Sequence, residues 1–135
     1  MTSTATATTS GHTILVADDN EDIVFVIRNV LEEGGHGVVT AGTVREALDA
    51  LDEHPGISLV ISDVRMPGED GFDLVRVLRH RLPSLPVILM TGMPITDDDV
   101  VPAGATVLTK PVDLDSLEKI VAEALAARAA GAADK

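Results

Sequence analysis

Polar residues with possible chemical roles follow four short apolar runs of this sequence. They are Asp18, Asp19, Asp63, Thr91 and Lys110. If the apolar runs are parallel strands, their carboxyl ends lie on one edge of a sheet, which is where open α/β folds bind ligands. Three carboxylates, a hydroxyl and an ammonium group meeting at this edge would form a site for a cation and a phosphoryl group.

The three carboxylates repel one another and therefore call for a positive charge. At about 4 Å and an effective dielectric near 20, each like-charged pair costs roughly 4 kcal/mol. Either one carboxyl retains a proton or a cation lies among Asp18, Asp19 and Asp63. Oxygen ligands of this kind favour Mg²⁺, which takes one or two carboxylates together with phosphate oxygens. We therefore expect Mg²⁺ as the cofactor.

The same residues suit phosphoryl transfer to an aspartate. Three carboxylates, a divalent cation and the Lys110 ammonium sum to zero charge, and phosphorylation of Asp63 would leave the site near −1. An aspartate nucleophile with Mg²⁺ and lysine on the transferring oxygens is a known solution for this chemistry. Lys110 would have to cross two strand spacings, about 9–10 Å, to reach Asp63, and its long side chain can do so. Thr91 could donate its hydroxyl to a phosphoryl oxygen.

Five apolar runs alternate with helical patterns, which predicts a parallel sheet covered on both faces. The right-handed crossover rule favours a flavodoxin-like doubly wound fold with five strands in the order 2-1-3-4-5. In this order the four strands that end in chemical residues are neighbours. The predicted strands are Thr13–Ala17, Gly37–Ala41, Ile57–Ser62, Val87–Met90 and Ala105–Thr109.

Capping residues and periodic apolar positions predict four helices. Asn20 caps a helix that runs to about Glu33, Thr43 and Glu46 form a capping box, Phe72–Leu82 is helical, and Asp113 caps the last helix. Between Thr91 and Lys110 the helical pattern weakens, so the helix there is expected to be short or irregular. The sequence thus predicts a flexible tail at 1–12, one domain at 13–127 and a second tail at 128–135.

The composition argues against several classes of function. The 135 residues carry a formal net charge of −12 with only 10 Lys and Arg, which disfavours direct binding to nucleic acid. No apolar run approaches the roughly 18 residues of a membrane span, and the N-terminus lacks the features of a secretory signal. There is no cysteine for disulfides or thiol chemistry. A cytoplasmic protein without a membrane partner is expected.

Taken together, the motifs resemble the receiver domain of two-component response regulators across about 13–127. The matching segments are Asp18-Asp19, Asp63 with Met66-Pro67-Gly68 and Asp70-Gly71, Met90-Thr91-Gly92 and Lys110-Pro111. The resemblance implies that Asp63 is the phosphoacceptor, Thr91 the switch hydroxyl and Lys110 the phosphate-binding cation. It implies Asp19 as a direct Mg²⁺ ligand assisted by Asp18, with the main-chain carbonyl of Arg65 as a further ligand. The donor would be a histidine kinase or a histidine phosphotransfer protein.

One departure from the family pattern concerns the output of the signal. Three positions before the lysine the family usually has an aromatic switch residue, and this chain has Val107. Phosphorylation chemistry should be little affected, but the usual flip of an aromatic ring cannot operate here.

Other functions remain as alternatives. A stand-alone regulator that acts through protein–protein contacts, and that catalyses only its own phosphorylation and dephosphorylation, is the favoured interpretation. The alternatives are a receiver domain taken from a hybrid histidine kinase or larger regulator, a Mg²⁺-dependent phosphatase with an aspartate nucleophile, and a docking module. Such phosphatases typically carry a second acid two residues after the nucleophile, where this chain has Arg65.

Overall fold

The computed structural model describes residues 12–65, 68, 70–92, 105–110 and 113–133, with side chains in the last helix described to residue 126. The strands are β1 (Thr13–Ala17), β2 (Gly37–Ala41), β3 (Ile57–Asp63), β4 (Val87–Thr91) and β5 (Ala105–Thr109). The helices in the described part are α1 (Glu21–Glu33), α2 (Val44–Glu53), α3 (Gly71–Arg81) and α4 (Leu114–Ala133).

The five strands form one parallel sheet in the order β2-β1-β3-β4-β5. This confirms the predicted flavodoxin-like topology. Asp63 is level with Met90, and Thr91 is level with Thr109, which directly precedes Lys110. The strands that carry the candidate residues are therefore adjacent, and their carboxyl ends lie at one edge of the sheet.

Helices cover both faces of the sheet. Successive strand residues point to opposite faces, so each strand contributes side chains to both core layers. On one side Leu15, Val60 and Leu89 pack with the apolar faces of α2 and α3. On the other side Ile61 and Met90 pack with the buried residues of α1 and α4. β3 is buried along its whole length, as expected of a central parallel strand. β3 therefore lies between the two core layers.

The predicted caps are present, with differences in detail. The Asn20 side chain accepts hydrogen bonds from the N–H groups of Asp22 and Ile23 at the start of α1. Thr43 caps α2, but the Glu46 carboxylate accepts from the N–H of Gly42, so the expected capping box is only half formed.

A reciprocal capping box starts α3 instead, just before the helix that the sequence predicts from Phe72. Asp70 accepts from the N–H of Asp73, and the Asp73 carboxylate accepts from the N–H of Asp70. Because this box begins the helix one residue early, α3 starts at Gly71 and not at Phe72. The helix ends at Arg81 and not at Leu82. β3 and β4 each extend one residue further than predicted, to Asp63 and Thr91.

Several expectations concern residues outside the described part of the chain. They are the N-terminal tail up to residue 11, the short or irregular helix expected within 93–104, and Met66, Pro67 and Pro111. α4 continues to Ala133, beyond the boundary at 127, as the helix propensity of its alanines allows. The boundaries of the folded domain stay predictions. Within the described residues, no helix has the length and apolar character that a membrane crossing requires.

Candidate functional site

The three predicted acids come together at the carboxyl edge of the sheet. Asp18 follows β1, Asp19 is the next residue, and Asp63 ends β3. One carboxylate oxygen from each lies within 4.8 Å of one from each of the others. Asp18 and Asp63 are buried, whereas Asp19 is exposed. A cation bound here would therefore have two protein-enclosed carboxylates beneath it and one on the solvent side.

Lys110 reaches across β4 to both buried acids. Its Nζ lies 3.2 Å from Oδ2 of Asp18 and 3.2 Å from Oδ2 of Asp63. The Asp18 side chain is fully enclosed, while the Lys110 side chain retains 20% exposure. The lysine directly follows β5, and its N–H donates to the carbonyl of Thr91 at 2.7 Å. The predicted reach over two strand spacings is thus present.

Main-chain groups hold the second oxygen of each buried carboxylate. The N–H of Asn20 donates to Oδ1 of Asp18 at 2.9 Å. The N–H of Arg65 donates to Oδ1 of Asp63 at 3.3 Å. Each carboxylate therefore has one oxygen on the backbone and the other turned toward Lys110. These contacts orient both carboxylates.

The burial and charges of the cluster shift two pKa values. Burial raises the pKa of the Asp18 carboxyl above its ordinary value and the charge of Asp63 adds to this, although Asn20 and Lys110 oppose the shift. For Lys110, burial alone would lower the pKa, but the hydrogen bonds and charges of Asp63 and Asp18 outweigh it and leave the pKa raised. The lysine is therefore held as an ammonium ion at neutral pH.

Thr91, Arg65 and Val107 complete the set of residues singled out in the sequence. Thr91 ends β4 and is 2% exposed, so it lies at the same edge as the acids. The Arg65 side chain is exposed, and its main chain is next to the Asp63 carboxylate. Val107 is half-buried and packs against the core layer on the α2 and α3 side. The valine thus fills space in the core and presents no ring that could swing out.

The donor set fits a hard divalent cation. The three clustered candidate ligands, Asp18, Asp19 and Asp63, are carboxylates, and magnesium prefers oxygen donors from one or two carboxylates with the remainder supplied by water, carbonyl or phosphate oxygens. A softer metal would call for imidazole or thiolate ligands. The exposed Asp19 leaves the cluster open on one side, where a phosphoryl oxygen could approach.

Comparison with known proteins identifies the family. The family model described as the response regulator receiver domain matches residues 14–122. The chain belongs to this family. It is therefore a receiver domain of the response regulators of two-component signalling, and receiver domains of this kind are phosphorylated by histidine kinases.

Relatives support the assignment over most of the receiver domain. The response regulator protein FleR of Pseudomonas aeruginosa is 37% identical over 112 residues, which is 81% of this chain and 24% of that protein. The transcriptional regulatory protein FixJ of Bradyrhizobium diazoefficiens is 33% identical over 87% of this chain and 58% of its own length. The chain thus spans about a quarter of the length of FleR and somewhat over half of the length of FixJ.

Solved structures agree with the fold. A response regulator receiver domain protein from Clostridium thermocellum is 32% identical, with a TM-score of 0.80 over 87% of this chain and 96% of that one. A CheY-like receiver domain protein from Methanospirillum hungatei is 28% identical, with a TM-score of 0.83 over 90% and 99% of the two chains.

Two features beside the site were not predicted from the sequence. Phe25 and Val26 on α1 are 64% and 43% exposed, although their apolar character suggests burial. Gly71 lies directly against the main chain of Asp63. The first could have been found from the helical period, since Phe25 lies off the apolar stripe of α1. The second depends on how α3 packs on the end of β3, and only the structure gives that.

Proposed function

We propose that this receiver domain accepts a phosphoryl group on Asp63, with Mg²⁺, from a phosphohistidine of a histidine kinase or histidine phosphotransfer protein. The observation that carries the proposal is the position of Lys110 Nζ, 3.2 Å from both Asp63 and Asp18. A lysine and an acid cluster at the end of the central strand are the groups that phosphoryl transfer to an aspartate requires.

The transfer exchanges one bond to phosphorus for another. An oxygen of Asp63 attacks the phosphorus, the bond between phosphorus and the donor imidazole nitrogen breaks, and the imidazole leaves with the electron pair. The product is an acyl phosphate on Asp63. Because Asp63 loses its own charge while the phosphoryl group brings about −2, the Lys110 ammonium moves from the carboxylate to a phosphoryl oxygen. The Thr91 hydroxyl donates to another of these oxygens.

Asp18, Asp19, Asp63 and the main-chain carbonyl of Arg65 would hold the Mg²⁺ ion. When bound, the ion supplies positive charge that offsets the negative charges of the carboxylates and the phosphoryl oxygens. Asp63 must keep one oxygen free for attack. The hydrogen bond from the Arg65 N–H to its Oδ1 fixes the direction in which the second oxygen points.

The surface beside the site fits a protein donor better than a small one. Phe25 and Val26 are exposed on α1, and a groove of about 530 Å³ runs between α1 and the start of α4. Its apolar lining includes Ile23 and Met90, and one wall is formed by Lys110. A protein that brings a phosphohistidine to Asp63 would cover this apolar surface. Exposed apolar patches next to a reactive group commonly mark such contacts.

The signal would pass onward through protein–protein contacts of the receiver domain. The stand-alone arrangement and the cytoplasmic location remain predictions. In the curated relatives the matched region is part of a longer chain. No role in binding nucleic acid directly is proposed, since the net charge of −12 opposes it.

A small-molecule phosphodonor tests the function without the cognate kinase. The protein is incubated with phosphoramidate and Mg²⁺, and its intact mass is followed over time. We expect one phosphoryl group per chain, Mg²⁺-dependent, with Asp19→Ala requiring more Mg²⁺ for the same rate. With a phosphomonoester in place of phosphoramidate, rapid and repeated release of phosphate would favour a phosphatase. The absence of an adduct under any condition would favour a docking module.

A further inference from the structure

Gly71, the first residue of α3, is in unusually close contact with the main chain of the proposed phosphoacceptor. A Cβ atom at Gly71 would lie 2.6 Å from the carbonyl oxygen of Asp63 and 3.0 Å from Cα of Val64. It would also lie 3.1 Å from a methyl carbon of Leu89. Real Cβ atoms essentially never approach closer than 3.0 Å, so any side chain here would displace the end of β3 or the start of α3.

The backbone conformation gives no separate reason for a glycine at this position. Among the glycines in the described part of the chain, positive φ angles occur at Gly35 and Gly68, and Gly71 is not one of them. Alanine is the better helix former, by about 1 kcal/mol within a helix. Close packing against Asp63 is therefore the physical reason for the missing side chain.

The contact belongs to a set of bonds that fix the chain immediately after β3. The N–H of Val64 donates to the carbonyl of Met90 on β4, and the N–H of Gly71 donates to the carbonyl of Val64, each at 2.8 Å. The fully buried hydroxyl of Ser62 donates to the carbonyl oxygen of Asp63 at 2.9 Å. The peptide that leaves Asp63 is thus held by β4, by α3 and by the preceding residue.

This peptide sets the direction of the Asp63 carboxylate. The N–H of Arg65, two residues after Asp63, donates to Oδ1 of the Asp63 carboxylate. A shift of the Asp63 carbonyl would therefore move both the carboxylate and its hydrogen-bond donor relative to Lys110, which approaches from β5 and does not move with them. Reactions of aligned groups are sensitive to such shifts, and about 1 Å can cost about a hundredfold in rate.

We propose that Gly71 is a positioning residue for Asp63: its missing side chain lets α3 pack against the Asp63 carbonyl and hold the carboxylate in line with Lys110. The functional part rests on the proposed phosphorylation of Asp63. The positioning part concerns the geometry of the chain and can be measured separately.

The experiment compares Gly71→Ala with the wild type and with Gly56→Ala. Gly56 directly precedes β3, at the end of the strand opposite to Asp63, and a Cβ atom at Gly56 would meet nothing within 4 Å. The first measurement is the through-hydrogen-bond NMR coupling between the Val64 nitrogen and the Met90 carbonyl carbon. The second is the rate of phosphorylation by phosphoramidate at saturating donor and Mg²⁺, well below the melting temperature.

We expect Gly71→Ala to weaken the coupling and to lower the saturated rate by about tenfold or more, while Gly56→Ala changes neither. A purely structural role would lower the melting temperature and leave the saturated rate of the folded protein unchanged, which would overturn the proposal. If Gly71→Ala does not fold, Ser62→Ala removes the hydroxyl donor to the same carbonyl without adding volume. A weaker coupling and slower rate in that variant would support the proposal, and wild-type values would overturn it.

The two proposals can fail separately. A wild-type protein that takes no phosphoryl group refutes the proposed function, and the NMR coupling in Gly71→Ala still decides whether Gly71 positions the Asp63 main chain. A phosphorylated wild type together with an unaffected Gly71→Ala variant refutes the positioning role alone.

Discussion

At the level of single residues, Lys110 has two tasks that differ between states of the site. In the structure it lies between two buried carboxylates, Asp18 and Asp63, and offsets their repulsion. In the proposed phosphorylated state it would turn to a phosphoryl oxygen. In the proposed function the same side chain would both stabilise the fold and bind the product, because a lysine ammonium donates from three hydrogens on a flexible stem.

Removing the Lys110 charge should therefore destabilise the cation-free protein. We expect Lys110→Met to lower the free energy of unfolding by about 2 kcal/mol, less than for a fully buried pair because the lysine is 20% exposed. Urea denaturation in EDTA measures this, with exposed Lys119→Met as the control. Added Mg²⁺ should recover part of the loss. Equal stability of Lys110→Met and wild type in EDTA would contradict the role of the lysine as counter-charge.

We expect His36, which lies away from the phosphoacceptor, to make the stability of the fold depend on pH. Burial, with a contribution from the charge of His12, lowers the pKa of His36 below its ordinary value of 6.5. The rings of the two histidines are 5.8 Å apart, and Nδ1 of His36 is buried without a partner among the described residues. A folded state that binds this proton less tightly than the unfolded chain loses stability as the pH falls below about 6.5.

Replacing His36 should remove this part of the pH dependence. Unfolding free energies of His36→Gln and wild type, measured between about pH 7 and pH 5 where histidine titrates, should differ in slope. The wild type should lose more stability on acidification. The exposed His80→Gln serves as the control and should follow the wild type. Parallel pH profiles for His36→Gln and wild type would show that His36 does not contribute.

At the level of elements, α1 starts beside the proposed phosphorylation site and exposes two apolar side chains. Its start follows Asp18 and Asp19, while Phe25 and Val26 lie exposed along its side. We expect a small phosphodonor to reach Asp63 without covering these residues and a protein donor to cover them. Burial of a phenylalanine side chain against a partner contributes roughly 1.5–3 kcal/mol.

Phe25→Ala should therefore slow transfer from a phosphorylated kinase without slowing transfer from phosphoramidate. A free-energy difference of about 1.4 kcal/mol corresponds to a factor of ten. We therefore expect the second-order rate constant with the protein donor to fall by about tenfold or more. The rate with phosphoramidate should stay at the wild-type value, which also shows that the variant is folded. Equal losses with both donors would place the effect in the site itself and not in docking.

β5 carries the departure from the family pattern. Because Val107 packs into the core layer beside α2 and α3, phosphorylation has no ring to move between solvent and core at this position. We expect the change to be confined to the turns after β3, β4 and β5. Amide NMR during titration with beryllofluoride, a mimic of the acyl phosphate, should show large shifts at 63–67, 91–104 and 107–112. Little change at 91–104, with shifts gathered along α1, would contradict this expectation.

At the level of the whole molecule, the alternation of apolar runs and helical patterns, together with the right-handed crossover rule, predicted the strand order. That order then brought four strand ends together, so the grouping of Asp18, Asp63 and Lys110 followed from topology and the reach of a lysine. The predicted start of α3 was one residue late, because the reciprocal cap between Asp70 and Asp73 was not anticipated. The contact of Gly71 with Asp63 could not be predicted, since it depends on the packing of a helix end against a strand end.

Asp63 is the residue that we propose receives the phosphoryl group. The most direct measurement is intact mass and peptide mapping of the wild type and of Asp63→Asn after incubation with phosphoramidate and Mg²⁺, with folding of both checked by circular dichroism. We expect one phosphoryl group on the wild-type peptide that contains Asp63, and none on the folded Asp63→Asn protein. A phosphoryl group at another residue of the wild type, or on folded Asp63→Asn to the same extent, would contradict the account.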